Sequence, residues 1–143
     1  GTDPETGEDA FIIYLTEADD LSGDGSFQTG NAFGIIGRLS TRPGTGTYSF
    51  ADIEFNDSDE VLRNQFGFIF FEGAGTQNQR IVLSNGGDLE LTTSNSNRVA
   101  GSFDVNGTAF TFSNTGANEE DVSIEGNFDA SSAPFFIPDD VDF

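Results

Sequence analysis

The sequence predicts an all-β protein, an antiparallel β-sandwich or β-barrel-like domain of about nine strands. Three observations carry this. Short apolar or alternating runs recur along the chain, Gly, Asn, Ser and Thr punctuate them, and no stretch sustains the 3.6-residue apolar period of a helix. At 143 residues the chain fits one domain and is long enough to bury a core without staples. Only 35% of residues are apolar, yet sixteen are Phe, so a few large rings must supply much of that core.

Residues 1–9 (GTDPETGED) read as an acidic arm, ordered only if a neighbouring subunit or a bound cation holds it. A cleaved export signal would account for the absence of Met. The first strand is 10–16 (AFIIYLT), apolar on both faces and therefore expecting cover on both sides. Residues 17–31 form a long acidic, Gly-rich connection that would let this strand pack away from its own body. Strands then follow at about 32–39, 46–55, 64–72, 79–84, 87–93, 97–105, 107–113 and 121–130. The 64–72 run, with Phe66, Phe68 and Phe70 alternating with Gly67, Ile69 and Phe71, reads as a central strand. In the last run Val122, Ile124, Gly126, Phe128 and Ala130 alternate with Asp121, Ser123, Glu125, Asn127 and Asp129, a period of two with one wet face. Asn85-Gly86 and Asn106-Gly107 stand between runs as tight hairpin turns. The tail 131–143, with Phe135, Phe136 and Ile137 between Pro134 and Pro138, reads as an extended edge segment, either packed on its own domain or docking on a neighbour. The domain is thus 10–130, with 10–16 as a possible donor strand.

The stretches GGDLELTTSNSNRVAGSFDVNGTAFTF (86–112) and VSIEGNFDA (122–130) resemble the C-terminal half of small secreted or lipid-anchored bacterial β-domains of unassigned function. A "G-x-F" strand followed by a closing "G-x-F-D" strand carries the resemblance. It implies an exported all-β domain and transfers no catalytic residue.

Twenty-five Asp and Glu face five basic residues, all Arg, for a formal charge of -20; His, Cys, Met and Trp are absent, as is Lys. Nucleic acid and anionic membranes are excluded as partners, because no cationic surface exists to release counterions. No apolar run is long enough for a membrane-spanning helix. Ser or Thr nucleophiles lack a His or Lys base, and zinc lacks its usual ligands. Two-carboxylate glycoside hydrolysis survives, with Glu54 and Glu72 as candidates, each read more simply as a solvent-facing strand residue. The chain is accordingly read as not an enzyme.

Calcium is the better use for these oxygens. Asp20, Ser22 and Asp24, followed by Gly25, reproduce the D-x-S-x-D-G spacing, although Asn31 stands where an EF-hand wants its bidentate Glu. Asn56, Asp57, Asp59 and Glu60 form a second cluster around Ser58, and Glu119, Glu120 and Asp121 a third after Asn118; solvated loops are the alternative for all three. Asn56-Asp-Ser and Asn106-Gly-Thr also fit the N-glycosylation pattern.

The expected function is a non-enzymatic extracellular structural protein, self-assembling into a homo-oligomer, filament or surface layer by strand exchange and stabilised by calcium. The alternative is a monomeric cell-surface module binding calcium and a glycan.

Overall fold

The computed structural model describes residues 10–16, 30–39, 41–53, 65–74, 77, 79–113 and 116–131. They form seven strands: β1 (Ala10–Thr16), β2 (Gly30–Arg38), β3 (Gly46–Ser49), β4 (Phe66–Ala74), β5 (Arg80–Ser94), β6 (Arg98–Ser113) and β7 (Gly116–Ser131). All belong to one antiparallel sheet in the order β1-β2-β4-β5-β6-β7, with β3 pairing β5 beside that path. The all-β class therefore holds. The described sheet is open, and its strands number seven where the sequence reading has nine.

The count falls because two expected hairpins are continuous strands. The runs 79–84 and 87–93 merge into β5, and 97–105 and 107–113 merge into β6. Their Asn-Gly pairs face each other across the ladder: Ser84 pairs Gly107, Gly86 pairs Asn106, and a register shift falls between the two positions. An extra residue in one strand makes a bulge and a bend there, not a reversal. Gly is required for the close approach, since a Cβ at Gly107 would sit 2.5 Å from the Leu83 carbonyl oxygen. At Gly87, with φ +109°, a Cβ would overlap the Asp104 carbonyl.

The same bend opens a fork. β4 pairs the first part of β5, from Glu72–Arg80 to Ile69–Leu83, and β3 pairs the later part, from Ser49–Asp88 to Gly46–Leu91. Residues 50–53 wedge between the prongs. The Phe50 N–H donates to the Gly87 carbonyl at 2.9 Å, Ala51 N–H to Phe66 at 2.7 Å and Ile53 N–H to Ser84 at 2.8 Å. Ser84, 1% exposed, closes the gap with its side chain, accepting from the Phe68 N–H at 3.1 Å and donating to the Ala51 carbonyl at 2.8 Å.

One face of the sheet supplies the core. Alternation places Ile13, Ile35, Phe66, Phe68, Leu89, Leu91, Phe103, Val105 and Phe128 inward, with Phe11, Leu15, Phe33 and Ile124 packed against them. Phe33 of β2 meets Phe103 of β6 at 5.2 Å between ring centroids, although β4 and β5 stand between their strands. Three strand spacings would separate them by about 14 Å on a flat sheet. The sheet is therefore curled, and its concave side packs on itself. Phe68 sits at the hub, touching Phe33 at 5.7 Å, Phe103 at 5.2 Å and Phe50 at 6.0 Å.

β4 is central, as its two apolar faces require, and β1 lies at the sheet edge. The tail beyond Ser131 and the arm before Ala10 lie outside the described residues. No helix among the described residues is long and apolar enough to cross a membrane.

Candidate functional site

The carboxylates that the fold brings together lie on the convex face of β5, β6 and β7. Burial of Leu89 and Leu91 turns Asp88 and Glu90 outward. Burial of Phe103 and Val105 does the same for Ser102 and Asp104, and the Ile124–Phe128 alternation does it for Glu125 and Asn127. Register then aligns them. Asp88 pairs Asp104 and Asp104 pairs Glu125, a row of three carboxylates across three strands; the next row on that face reads Glu90, Ser102, Asn127. Side chains directly opposite on neighbouring strands lie about 5 Å apart at Cβ, and like charges so placed repel.

β3 adds Thr47 beside Glu90, and the rows line a shallow depression of about 600 Å³ with Asp88, Asp104 and Glu125. Its donors are carboxylates, hydroxyls and an amide, hard oxygen ligands of the kind calcium takes. The arrangement attracts cations through summed field. Yet among the described residues no three acidic side chains converge closely enough to hold a metal ion.

Of the residues expected from sequence, Asp20, Ser22, Asp24, Asn56, Asp57, Asp59 and Glu60 lie outside the described residues. Glu119, Glu120 and Asp121 do not form a loop before the last strand; they are successive exposed positions inside β7, which begins at Gly116. Consecutive strand residues point to opposite faces, which separates Glu120 from its two neighbours. Glu120 instead accepts from Arg80 Nη2 at 3.2 Å, while Arg80 Nη1 bonds Glu72 at 3.3 Å. Glu72 is thus an ion-pair partner on β4, and its companion Glu54 lies outside the described residues.

At the other end of the sheet Arg98 grips Asp129 through two bonds, Nε–Oδ1 at 2.7 Å and Nη2–Oδ2 at 2.6 Å. The Arg98 hydrogen bonds hold the Asp129 carboxyl below its ordinary range. Tyr14 on β1 shows the opposite influence: burial pushes its phenol up to about 12.

Sequence reading missed Asp88, Glu90, Asp104 and Glu125 as a group. The alternation D-L-E-L at 88–91 signalled one wet face, but the alignment depends on the register set by the bulge and by the Asn95–Asn97 turn. No protein-family model, curated protein or solved structure matches the chain.

Proposed function

We propose that this chain is a non-enzymatic extracellular structural protein, of the exported bacterial β-domain kind, whose copies assemble by exchanging extended segments while calcium neutralises their acidic surfaces. The curled sheet is read as a barrel-like body. β1 carries the reading: it is an uncharged edge strand that completes the core, yet residues 17–29 separate it from the strand it pairs with. A two-residue turn would suffice for antiparallel neighbours. Self-repulsion from a charge of -20 opposes packing of copies, and the carboxylate rows on β5–β7 give divalent ions a surface on which to relieve it.

The test is size in solution, by sedimentation and by electron micrographs, at rising protein concentration with calcium and with chelator. Oligomers or filaments that grow with calcium are expected from the 15.2 kDa chain. A single monomeric species under every condition would refute the reading. It would favour the second one, a monomeric surface module, for which the depression lined by Asp88, Glu90, Asp104 and Glu125 is the supporting feature.

A further inference from the structure

The edge of β2 is a preformed receptor for a strand, and β1 fills it. The register runs from Ala10–Arg38 to Thr16–Ala32, so all seven residues of β1 are paired. Behind that edge Ile35 and Phe66 are fully buried, Phe11 meets the Phe66 ring edge-on at 6.1 Å, and Ile13 is 3% exposed. Vacating the groove would leave these side chains facing water. A large part of the core depends on its always being occupied.

Which copy supplies the occupant is a separate matter. Thirteen residues, 17–29, join β1 to β2, a reach of roughly 43 Å at about 3.3 Å per residue. That is ample to cross from one copy to the next, and lengthening a loop changes its closure cost only slowly. Exchange preserves every pairing and every ring contact of β1, because donor and receptor sequences are unchanged. β1 also carries no charge, so it can meet a second copy without adding to the repulsion. The opposite edge differs: β7 bears Glu119, Asp121, Glu125 and Asp129 on its wet face, the charged dress that discourages edge pairing.

A tie from outside β2 restrains β1. The Arg42 guanidinium lies over the Phe11 ring at 6.0 Å, and its Nη1 donates to the Asn95 carbonyl at 2.6 Å. The adjoining Pro43 carbonyl accepts from Ser94 Oγ at 2.5 Å, which fixes this segment to the β5–β6 turn. Arg42 thus spans from that turn to the first residues of β1.

Building on the assembly reading above, we propose that the β2 edge receives β1 of a second copy in the register seen here, with Arg42 as the latch that must let go of Phe11 before the strand can leave. Exchange that closes reciprocally gives a dimer; exchange that passes head to tail gives a filament.

The chain contains no Cys, so introduced thiols report uniquely. Ile12 and Ile36 are register partners on the outward face. Full-length Ile12→Cys and full-length Ile36→Cys chains are mixed at high concentration with calcium, oxidised and analysed by mass spectrometry; the double variant in one dilute chain controls for reach. A covalent heterodimer joined between positions 12 and 36, in excess over 12–12 and 36–36 products, is expected. Adding Arg42→Gln should speed its appearance about two- to fivefold, the value of an exposed cation–π contact. Assemblies that form without any 12–36 link overturn this inference and leave the assembly reading to other contacts. Neither assembly nor link overturns both. A double variant that fails to close within one chain rejects the register, and an unchanged rate with Arg42→Gln rejects the latch.

Discussion

Replacing Ser84 by Ala removes one oxygen from the interior and should cost far more than its size suggests. The hydroxyl accepts from the Phe68 N–H and donates to the Ala51 carbonyl, joining β4, β5 and the wedge 50–53 where no backbone ladder can do so. With the residue 1% exposed, water has no ready access to the two groups left behind. An orphaned buried donor or acceptor costs about 1–3 kcal/mol. Two of them, less the desolvation of the missing hydroxyl, give a loss of about 2–4 kcal/mol, a large share of the ~5–15 kcal/mol that holds a typical domain. In urea, with a slope of about 1–3 kcal/mol per molar, the midpoint should fall by roughly 1–2 M at unchanged slope. The Phe68 amide should also exchange its hydrogen faster than its β4 neighbours. Ser123→Ala, on the exposed face of β7, serves as the control and should leave the midpoint where it was. A Ser84→Ala protein within about 0.5 kcal/mol of the parent would refute the claim that this hydroxyl holds the fork together.

Gly101→Ala should lower the thermal midpoint steeply, by the equivalent of ~2–4 kcal/mol, because a Cβ there overlaps the Glu90 carbonyl oxygen, which is backbone and has nowhere to go; Gly44→Ala, with open space around it, should be near neutral. Tyr14 should ionise near pH 12, visible as a late component of phenolate absorbance. Because its folded value lies above the ordinary 10.0, the unfolded chain releases its proton first, so Tyr14 makes stability fall as pH rises from about 10 to 12; Tyr14→Phe should remove both the late component and that part of the alkaline loss. Asp104→Asn, at the middle of the carboxylate row, should stabilise by ~0.2–1 kcal/mol in dilute buffer, with the gain shrinking as salt or calcium is added, read from unfolding midpoints across ionic strength.

The strands that could be read from sequence were those whose own side chains settle the matter. β1 and β4, apolar on both faces, and β7, alternating over ten residues, are patterns that only a buried or half-buried strand satisfies. The two Asn-Gly pairs misled because the dipeptide permits a turn without demanding one. Whether the chain reverses depends on what lies opposite, and here each pair finds the other across the β5–β6 ladder, so that both strands run on through a bend. β3 illustrates a related limit: the run 46–55 reads as one strand, but only Gly46–Ser49 ladders with β5, and 50–53 is held by single bonds to β4 and β5. The carboxylate row was illegible for the same reason. Asp88, Asp104 and Glu125 are each ordinary wet-face residues, and only the register makes them neighbours.

The order in which partners arrive along the chain has a consequence for how the molecule is born. β5, β6 and β7 pair as consecutive neighbours, so residues 80–131 can zip together by local steps, which are fast. Of the earlier strands only β1 and β2 are consecutive partners: β3 waits for Asp88–Leu91, and β2 takes β4 as its second neighbour only after a long excursion. A nascent or threading polypeptide therefore holds β3 without its ladder partner, and β4 without its second neighbour, until β5 has emerged. During that interval the incomplete aromatic core is at its most vulnerable to misassociation, and the surplus of negative charge keeps neighbouring chains apart.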